Sequence, residues 1–264
     1  MSKVFIPKNI WQTYKTHIIP DKWISSPESI KRLHPTWNYY LTDDQENLTF
    51  IQTYYPQYLQ LYNRLGKEIK KICQVDMVRI LYVHKYGGVY LDLDYEVLKP
   101  LDDLFIFNSD LYLFQTSNMG GFTNSFFGSR PNCPFWIQCI EEIKYRLDHK
   151  PWYIFGDVRV LWTTGPGMLT DVANEYNKPF VTIPYKLGHP CNICDHYLNR
   201  VCTNEDSYVK ELEGSSWTNP TTQLFYFVVC CWKELLIILF LIILIIIAYF
   251  AIQRFSKINL KTIP

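Results

Sequence analysis

The sequence predicts an α/β domain with a mainly parallel sheet, followed by one membrane-spanning helix. Apolar runs of strand character alternate along the chain with segments whose apolar residues recur at helical spacing. The 264 residues, 48% of them hydrophobic, are enough for one sizeable core. Residues 235–252 carry no charge, and at about 1.5 Å per helical residue they span roughly 27 Å, the thickness of a bilayer core.

The elements follow one another in a simple order. The sequence predicts strands in "VFIPKNIWQT" (4–13), "WNYYLTDD" (37–44), "YGGVYLDLDYE" (86–96), "DLYLFQT" (110–116) and "NSFFGS" (124–129). It predicts helices in "FIQTYYPQYLQLYNRL" (50–65), in "KEIKKICQVDMVRILYVHK" (67–85) up to Gly87 and Gly88, in "CPFWIQCIEEIKYRL" (133–147) with Pro134 in its first turn, and from about Pro166 onward. Residues 186–224 are expected to be irregular.

Charge and cysteine content limit the function classes. The chain has 26 basic and 25 acidic side chains and a formal net charge of +1, so it lacks the positive field typical of nucleic-acid binders, and no nucleic acid is expected as a partner. Its eight cysteines are spread over a long chain in which no signal peptide is recognised. We therefore expect most of them to be reduced thiols.

The stretch "YGGVYLDLDYE" places two carboxylates two positions apart in an apolar run. On a strand, Tyr90, Asp92 and Asp94 project to one face, which makes the two carboxylates neighbours. Like charges that close raise each other's pKa unless a cation lies between them. Carboxylate oxygens suit Mg²⁺ or Mn²⁺, which commonly bridge the phosphates of a nucleotide. A solvated strand end is the alternative, because an isolated Asp-x-Asp is weak evidence.

The preceding helix carries a charge where its apolar stripe should continue. Asp76 occupies that position, and Arg79 lies one turn further on. The two side chains are predicted either to form a structural ion pair or to reach a common ligand. Taken alone, the pair favours neither interpretation.

The full arrangement "QVDMVRILYVHKYGGVYLDLDYEVLKPL" resembles the DxD-containing glycosyltransferases of family 32, which include inositol phosphoceramide mannosyltransferases. Further motifs that resemble the family follow in order: "IPKNIWQTYK", "NSFFGSRPNCPFW", "TTGPGMLT" and "GSSW". The resemblance covers residues 4–218 and implies a nucleotide-sugar-binding fold of the GT-A type. The Thr-Gly-Pro and Ser-Ser-Trp motifs and the apolar tail are most similar to those of the sphingolipid mannosyltransferases.

The resemblance also implies roles for individual residues. Asp92, Asp94 and Arg79 are expected to be catalytic, and Asp92 and Asp94 to hold the metal. Donor contacts are expected from Asp76, Arg79, Gly87, Gly88, Tyr90, Trp11, Ser216 and Trp217, and acceptor-side contacts from Asn124, Thr164, Gly165 and Pro166. Thr218 stands where relatives often have a histidine, so a third metal contact falls to Thr218 or Asn219.

The reaction implied is transfer of a hexose from a nucleotide sugar, with retention at the anomeric carbon through an oxocarbenium-like transition state. Mn²⁺ or Mg²⁺ is the expected cofactor. The resemblance favours GDP-mannose as donor, although a UDP-hexose suits the same chemistry. The expected acceptor is a membrane lipid such as inositol phosphoceramide, or a glycan.

Three other interpretations stay open. A haloacid-dehalogenase-type phosphatase also has an Asp-x-Asp after an apolar strand, but its first motif lies near the N-terminus and is accompanied by residues that do not match here. A catalytically inactive sugar-binding relative is the second. Structural zinc on Cys191, Cys194, His189 and His196 is the third; unliganded thiols are favoured because no second ligand pair follows.

The predicted organisation is a catalytic domain over residues 1–222, a membrane-proximal linker over 223–234, a transmembrane helix over 235–252 and a basic tail over 253–264. The basic residues after the span favour a cytosolic tail. Because no signal peptide is recognised, a cytosolic catalytic domain is favoured as well. A single-pass anchor satisfies only one of these. The cytosolic catalytic domain is the preferred interpretation, and a lumenal, Golgi-type topology is the alternative.

Overall fold

The strands of the computed structural model form one large and one small sheet. The structure describes residues 6–116, 120–198, 200–212, 214 and 218–259. Its strands are β1 (Asn9–Thr13), β2 (Asn38–Thr42), β3 (Gly88–Leu91), β4 (Tyr95–Val97), β5 (Leu111–Gln115), β6 (Phe122–Ser129), β7 (Val181–Ile183) and β8 (Val209–Glu211).

The helices lie between these strands and continue beyond them. They are α1 (Ser25–Leu33), α2 (Asp44–Tyr54), α3 (Leu59–Glu68), α4 (Lys71–Tyr86), α5 (Pro134–Asp148), α6 (Gly156–Thr163), α7 (Pro166–Glu175), α8 (Tyr185–Gly188), α9 (Ile193–Tyr197), α10 (Pro220–Cys230) and α11 (Trp232–Asn259). Pro134 and Pro166 open α5 and α7, as predicted.

The large sheet has the strand order β2-β1-β3-β6-β5-β7. β1 pairs in parallel with β2 and β3, and β5 with β7, while β6 runs antiparallel to both of its neighbours. The prediction of a mainly parallel α/β sheet is therefore confirmed. From β1 the chain goes first to one neighbour and then to the other, so the crevice at the carboxyl ends of β1 and β3 is where this kind of sheet binds ligands.

The two faces of the sheet are covered by two separate cores. Tyr90 and Phe127 point into the core formed with α4, α5 and α7, whereas Val89, Leu91 and Phe126 point into the core on the other face. This alternation is the one predicted for residues 89–91. It turns Tyr90 toward α4, the helix that carries the predicted charge pair.

Two element boundaries differ from the prediction. The helical segment 67–85 is divided, because α3 ends at Glu68 and α4 begins at Lys71. Strand β3 ends at Leu91, and Asp92 and Asp94 lie in a tight turn closed by the hydrogen bond from Tyr95 N to Asp92 O at 3.2 Å. A turn, rather than strand alternation, therefore positions the two carboxylates.

Cysteine pairing corrects two expectations. Cys191 is bonded to Cys202 and Cys194 to Cys230, while Cys73, Cys133, Cys139 and Cys231 are free. Half of the cysteines are thus oxidised, so the expectation that most are reduced was wrong. The zinc interpretation is also wrong, because its two thiols are used in disulfides and cannot act as thiolate ligands.

The carboxyl-terminal segment is more regular than expected. Residues 186–224 include α8, α9, β8 and the first turn of α10, and the expected linker 223–234 is largely helical. After Cys231, α11 contains the stretch Trp232–Phe250, which is uncharged after Glu234, is long and apolar enough to cross a membrane and has none of its side chains buried. This helix is a candidate membrane anchor.

Candidate active site

The predicted charge pair lies on the inner face of α4, at the carboxyl end of β3. Asp76 is 3% exposed and Arg79 4%. The Arg79 guanidinium lies between two carboxylates, with Nη2 at 3.3 Å from Asp76 Oδ1 and 3.2 Å from Asp92 Oδ1. An ion pair, one of the two predicted alternatives, is therefore present within the helix, and it extends to the first aspartate of the DxD turn.

Asp92 is fixed from three directions. Its Oδ1 accepts a hydrogen bond of 2.6 Å from the Tyr90 hydroxyl, and its Oδ2 lies 3.4 Å from Arg79 Nη1. Its main-chain N–H donates to Ser125 O of β6 at 2.9 Å. Burial raises the pKa of Asp92, while Arg79 and Tyr90 favour the ionised form and oppose that rise. The side chain remains 27% exposed, so this fixed carboxylate faces the crevice.

Asp76 is held by neutral donors as well as by Arg79. Asn124 Nδ2 donates to its Oδ1 at 3.1 Å, and Thr164 Oγ1 donates to its Oδ2 at 2.6 Å. Burial raises the pKa of Asp76 to about 6, although Arg79 and Thr164 favour the ionised form. Asp76 thus connects α4 to β6 and to the end of α6, and it positions the guanidinium between them.

The guanidinium of Arg79 keeps spare hydrogen-bonding capacity. Its Nη1 donates to Asn124 O at 2.9 Å, and its Cζ lies 4.7 Å from the centre of the Tyr90 ring. Its Nε is buried and has no hydrogen-bond partner among the residues that the structure describes. A buried cation with an unused donor at a ligand crevice can stabilise negative charge that develops on a bound group.

Asp94 lies in the turn, next to the segment that precedes α10. Its main-chain oxygen accepts from Leu212 N at 2.6 Å. The backbone at Gly214 approaches its carboxylate so closely that a Cβ added there would collide with Asp94 Oδ2. Both carboxylates of the turn are partly exposed, and the negative charges of Asp92, Asp76 and Asp94 all favour the protonated form of Arg79. This oxygen-rich set fits a hard divalent cation such as Mg²⁺ or Mn²⁺.

Gly87 and Gly88 form the sharp connection between α4 and β3, where the sequence predicts the helix to end; their contact with a donor stays a prediction. Their φ angles are 67° and 100°, in the region that favours glycine. A Cβ on Gly88 would collide with the carbonyl oxygen of Asn9 in β1, and one on Gly87 would crowd Pro7 and Pro131. The two glycines let β3 start directly after the helix and place Asp92 at its far end.

Three other predicted site residues, Trp11, Asn219 and Gly165, have contacts or positions outside the Arg79 cluster. Trp11 is 6% exposed, stacks on Tyr40 with 4.2 Å between ring centres, and donates to Gly87 O at 3.1 Å. The Asn219 side chain caps α10 by accepting from Thr222 N at 2.9 Å. Gly165 precedes α7, which Pro166 begins. Roles for these residues and for Thr218 in binding stay predictions, and Ser216 and Trp217 lie outside the described residues.

Two residues that the sequence analysis missed lie at the end of β1. Gln12 is fully buried and donates through Nε2 to Asp92 O at 3.1 Å, while Thr13 Oγ1 lies 3.1 Å from the Tyr90 hydroxyl. Both support the DxD turn from the neighbouring strand. Their position at the carboxyl end of the first predicted strand was the available signal, since ligand sites gather there in such sheets.

A second missed group borders the turn on its other side. His189 Nδ1 lies 2.7 Å from Glu211 Oε1 and 3.2 Å from the Tyr95 hydroxyl, which in turn lies 2.8 Å from Ser125 Oγ. The sequence analysis had considered His189 only as a zinc ligand. Its actual partner, Glu211, is 22 positions away along the chain, and no local spacing indicates that contact.

A separate group of metal-binding side chains lies on the surface. His17, Asp43 and Glu46 bring one potential ligand atom each within 4.8 Å of one another. Asp43 and Glu46 already form the reciprocal capping box at the start of α2. Helix capping therefore accounts for the proximity of the two carboxylates.

Comparison with known proteins agrees with this geometry. Residues 20–110 match the family described as "Glycosyltransferase sugar-binding region containing DXD motif". The chain is 34% identical over 212 residues to mannosyl phosphorylinositol ceramide synthase CSH1 of Saccharomyces cerevisiae, a match that covers 80% of this chain and 53% of that protein. It is 33% identical to inositol phosphoceramide mannosyltransferase 3 of Schizosaccharomyces pombe, over 66% of this chain and 46% of that protein. The chain thus spans about half the length of these curated relatives.

A solved structure shares the fold. The structure described as PaToxG Glycosyltransferase superposes with a TM-score of 0.50 at 17% sequence identity, over 64% of this chain and 69% of that one. This likeness supports the GT-A-type fold. Residues 20–110 carry the DXD-containing sugar-binding region of glycosyltransferases, and the chain is similar to the inositol phosphoceramide mannosyltransferases.

Proposed function

We propose that this chain is a metal-dependent, retaining mannosyltransferase that uses GDP-mannose and acts on a membrane lipid of the inositol phosphoceramide type. The observation that carries the proposal is the placement of Arg79 between Asp76 and Asp92, next to Asp94, at the carboxyl end of β3. The names of the relatives supply the sugar and the acceptor class. The phosphatase alternative has no support from these relatives.

The residues of the crevice divide the work between them. Asp92 and Asp94 would hold a divalent cation, which when bound balances the charge of the departing diphosphate. Arg79 adds fixed positive charge next to the same group. Asp76 holds its guanidinium in place, while Tyr90 and Gln12 hold Asp92. Because these groups are held before the donor binds, little reorganisation is needed during the reaction.

The proposed transfer breaks the bond between the anomeric carbon and the diphosphate oxygen. The acceptor hydroxyl forms the new bond on the same face of the sugar, and its proton passes to the departing diphosphate. No carboxylate of the protein needs to attack the sugar in this route. The binding site contributes mainly by bringing the acceptor oxygen and the anomeric carbon together.

A membrane-embedded acceptor agrees with the apolar carboxyl-terminal helix. The stretch Trp232–Phe250 has a mean hydropathy of 2.7, and we propose that it spans the bilayer. An anchored enzyme meets a lipid acceptor at a much higher effective concentration than a soluble one would.

The disulfides favour one side of the membrane. Cys191–Cys202 and Cys194–Cys230 both lie in the domain before α11, and disulfides persist in oxidising compartments but are rare in the cytosol. We therefore propose that the catalytic domain faces an oxidising compartment, the lumenal alternative of the sequence analysis. Without reductant, a thiol-alkylating reagent should modify four of the eight cysteines of the denatured protein. Modification of all eight would contradict this topology.

The function is tested with the full chain in nanodiscs and a panel of nucleotide sugars, each with Mn²⁺, with Mg²⁺ and with EDTA. We expect metal-dependent release of GDP from GDP-mannose and an α-linked mannosyl product on inositol phosphoceramide. Turnover of a UDP-hexose alone would reassign the donor. Absence of turnover with every donor, despite metal-dependent binding, would identify an inactive sugar-binding relative.

A further inference from the structure

The loop between α5 and α6 exposes three aromatic side chains. Trp152 is 88% exposed, Tyr153 59% and Phe155 74%. The loop has a defined shape, since Lys150 Nζ donates to Pro151 O at 3.2 Å and to Ile154 O at 3.0 Å. Three large aromatic side chains held outward in one loop are unusual on a surface that faces only water.

This loop is joined to the start of α10. Asp157, in the first turn of α6, is 2% exposed and forms an ion pair with Lys70. Its Oδ2 accepts from Asn219 N and from Thr222 Oγ1, both at 2.8 Å. The aromatic loop and the amino-terminal end of α10 are therefore fixed side by side.

Helix α10 lies against the domain with one face and presents the other outward. Thr222, Tyr226 and Cys230 recur every four residues and are its less exposed side chains. Thr222 is bonded to Asp157 at one end, and Cys230 is bonded to Cys194 of α9 at the other. Apart from Gln223, the exposed side chains between these attachments are apolar, among them Leu224, exposed by 61%, Phe225 by 60% and Val228 by 48%.

We infer that Trp152, Tyr153, Phe155, Leu224, Phe225 and Val228 form one apolar platform that rests on the surface of a lipid bilayer. The continuity with the candidate anchor identifies the occupant, because only Cys231 separates α10 from α11. Trp232 begins α11 and is 53% exposed, and tryptophan and tyrosine favour the membrane–water interface. The inference rests on the membrane-anchor part of the proposed function, but it does not depend on which sugar is transferred.

The platform also determines how the crevice meets the membrane. Helix α6 leads from the aromatic loop to Thr164, whose hydroxyl is bonded to Asp76. Its eight residues at about 1.5 Å each separate the platform from the site by roughly 12 Å along the helix. A lipid whose headgroup projects from the bilayer is thus presented near the crevice, and a fixed platform keeps that distance constant.

Contact with lipid is tested by quenching of tryptophan fluorescence in nanodiscs made with lipids brominated near the headgroup. The full-length protein and its Trp152→Phe variant are compared. We expect the variant to lose part of the quenching seen with the wild-type protein. The matched control is Trp37→Phe, because Trp37 is 7% exposed and packs against Phe105 in the core; the quenched fraction of its fluorescence should be at least that of the wild type. Equal quenching of the wild type and Trp152→Phe would overturn the inference.

A second measurement separates this inference from the proposed function. The triple variant Trp152→Ser, Tyr153→Ser and Phe155→Ser should transfer sugar to a bilayer-embedded acceptor several-fold more slowly, with unchanged hydrolysis of the nucleotide sugar in water. Phe107→Ser is the control, because Phe107 is 56% exposed and precedes β5, at the end of the sheet opposite to the DxD turn. Lipid quenching of Trp152 in a protein that hydrolyses no donor would support the platform and contradict only the proposed function. Unchanged transfer to the embedded acceptor would contradict the platform.

Discussion

Arg79 and Arg146 are buried to the same degree and have the same kinds of partner, yet only Arg79 lies at the carboxyl end of β3, beside the DxD turn. Each side chain is 5% exposed and pairs with two carboxylates. Each donates to one main-chain carbonyl and lies against an aromatic ring. Burial and pairing alone therefore do not distinguish the arginine that we propose to bind the donor from one that stabilises only the fold.

The two arginines differ in how completely their hydrogen bonds are used. Arg146 makes contacts of 2.6 Å with Glu142, 2.7 Å with Trp162 O and 2.6 Å with Asp171, and so joins α5, α6 and α7. Arg79 makes contacts of 2.9 to 3.4 Å, and its Nε lacks a partner among the described residues. The Arg146 cluster is satisfied by the fold alone, whereas the Arg79 cluster has capacity left for a ligand.

The largest expected difference between the two clusters is in the transfer rate when each arginine is replaced by lysine, which keeps the charge but removes the planar guanidinium. Arg79→Lys should lower the transfer rate by about 100-fold or more, because a lysine cannot contact Asp76, Asp92 and the departing group together. Arg146→Lys should keep the transfer rate within about threefold of wild type, because the contacts of Arg146 stabilise only the fold. Initial rates of GDP release at saturating donor measure both. A similar loss of rate in the two variants would remove the distinction between the clusters.

The alanine variants compare the clusters by stability. Arg79→Ala leaves Asp76 buried without its cation and should lower the free energy of unfolding by about 3–5 kcal/mol at pH 7. Arg146→Ala leaves Glu142 and Asp171, which are 31% and 59% exposed, so water can replace the arginine and the cost should be about 1–2 kcal/mol. Denaturant unfolding in detergent measures the difference. Equal losses would mean that exposure of the carboxylates does not decide the cost.

The pH dependence of stability is the next largest effect. Burial raises the pKa of Asp76 from 3.8 to about 6, so the folded state holds this proton more tightly than the unfolded chain does. The resulting stabilisation is complete below about pH 4 and is lost as the pH rises through 6. Between pH 4 and 7, wild type should therefore lose up to roughly 3 kcal/mol relative to Asp76→Asn, which does not titrate at this position. A stability difference between the two proteins that stays constant with pH would contradict the raised pKa.

The smallest expected effect concerns the stability of variants at two adjacent threonines. They lie at the end of α6, where the Arg79 and Arg146 clusters meet. Thr164 donates to Asp76, whereas the buried hydroxyl of Thr163 has no partner among the described residues. Thr164→Val should cost about 1–3 kcal/mol of stability, and Thr163→Val should be neutral or slightly stabilising. Thermal unfolding of the two variants measures this. A larger loss of stability for Thr163→Val than for Thr164→Val would contradict the hydrogen bond between Thr164 and Asp76.

The parts of the fold that depend on local signals were predictable from the sequence. Pro134 and Pro166 give the starts of α5 and α7, and Gly87 gives the end of α4, because each acts through its own backbone. The Asp76–Arg79 pair was predictable for the same reason, since helical spacing alone brings the two side chains together.

The rest depends on contacts between distant segments. The disulfide partners of Cys191 and Cys194, the support of Asp92 by Gln12 and the contact of His189 with Glu211 all join residues that only the tertiary fold brings together. The end of β3 at Leu91 was also missed, because the apolar alternation continues to Leu93 while the chain already turns. Asn124 and Thr164 were expected on the acceptor side, and their contacts with Asp76 follow from the sheet order and the end of α6.

The central claim is that the DxD turn and Arg79 form a metal-dependent donor site, whereas the Arg146 cluster is structural. Titration of GDP-mannose into the full-length protein with and without Mn²⁺ tests it directly, with Asp94→Asn compared against Asp171→Asn, the more exposed carboxylate partner of Arg146. We expect Mn²⁺-dependent binding in wild type and in Asp171→Asn, and a loss of at least about tenfold in Asp94→Asn, since the amide removes the charge that holds the cation. Binding by Asp94→Asn with wild-type affinity and the same Mn²⁺ dependence would contradict the claim.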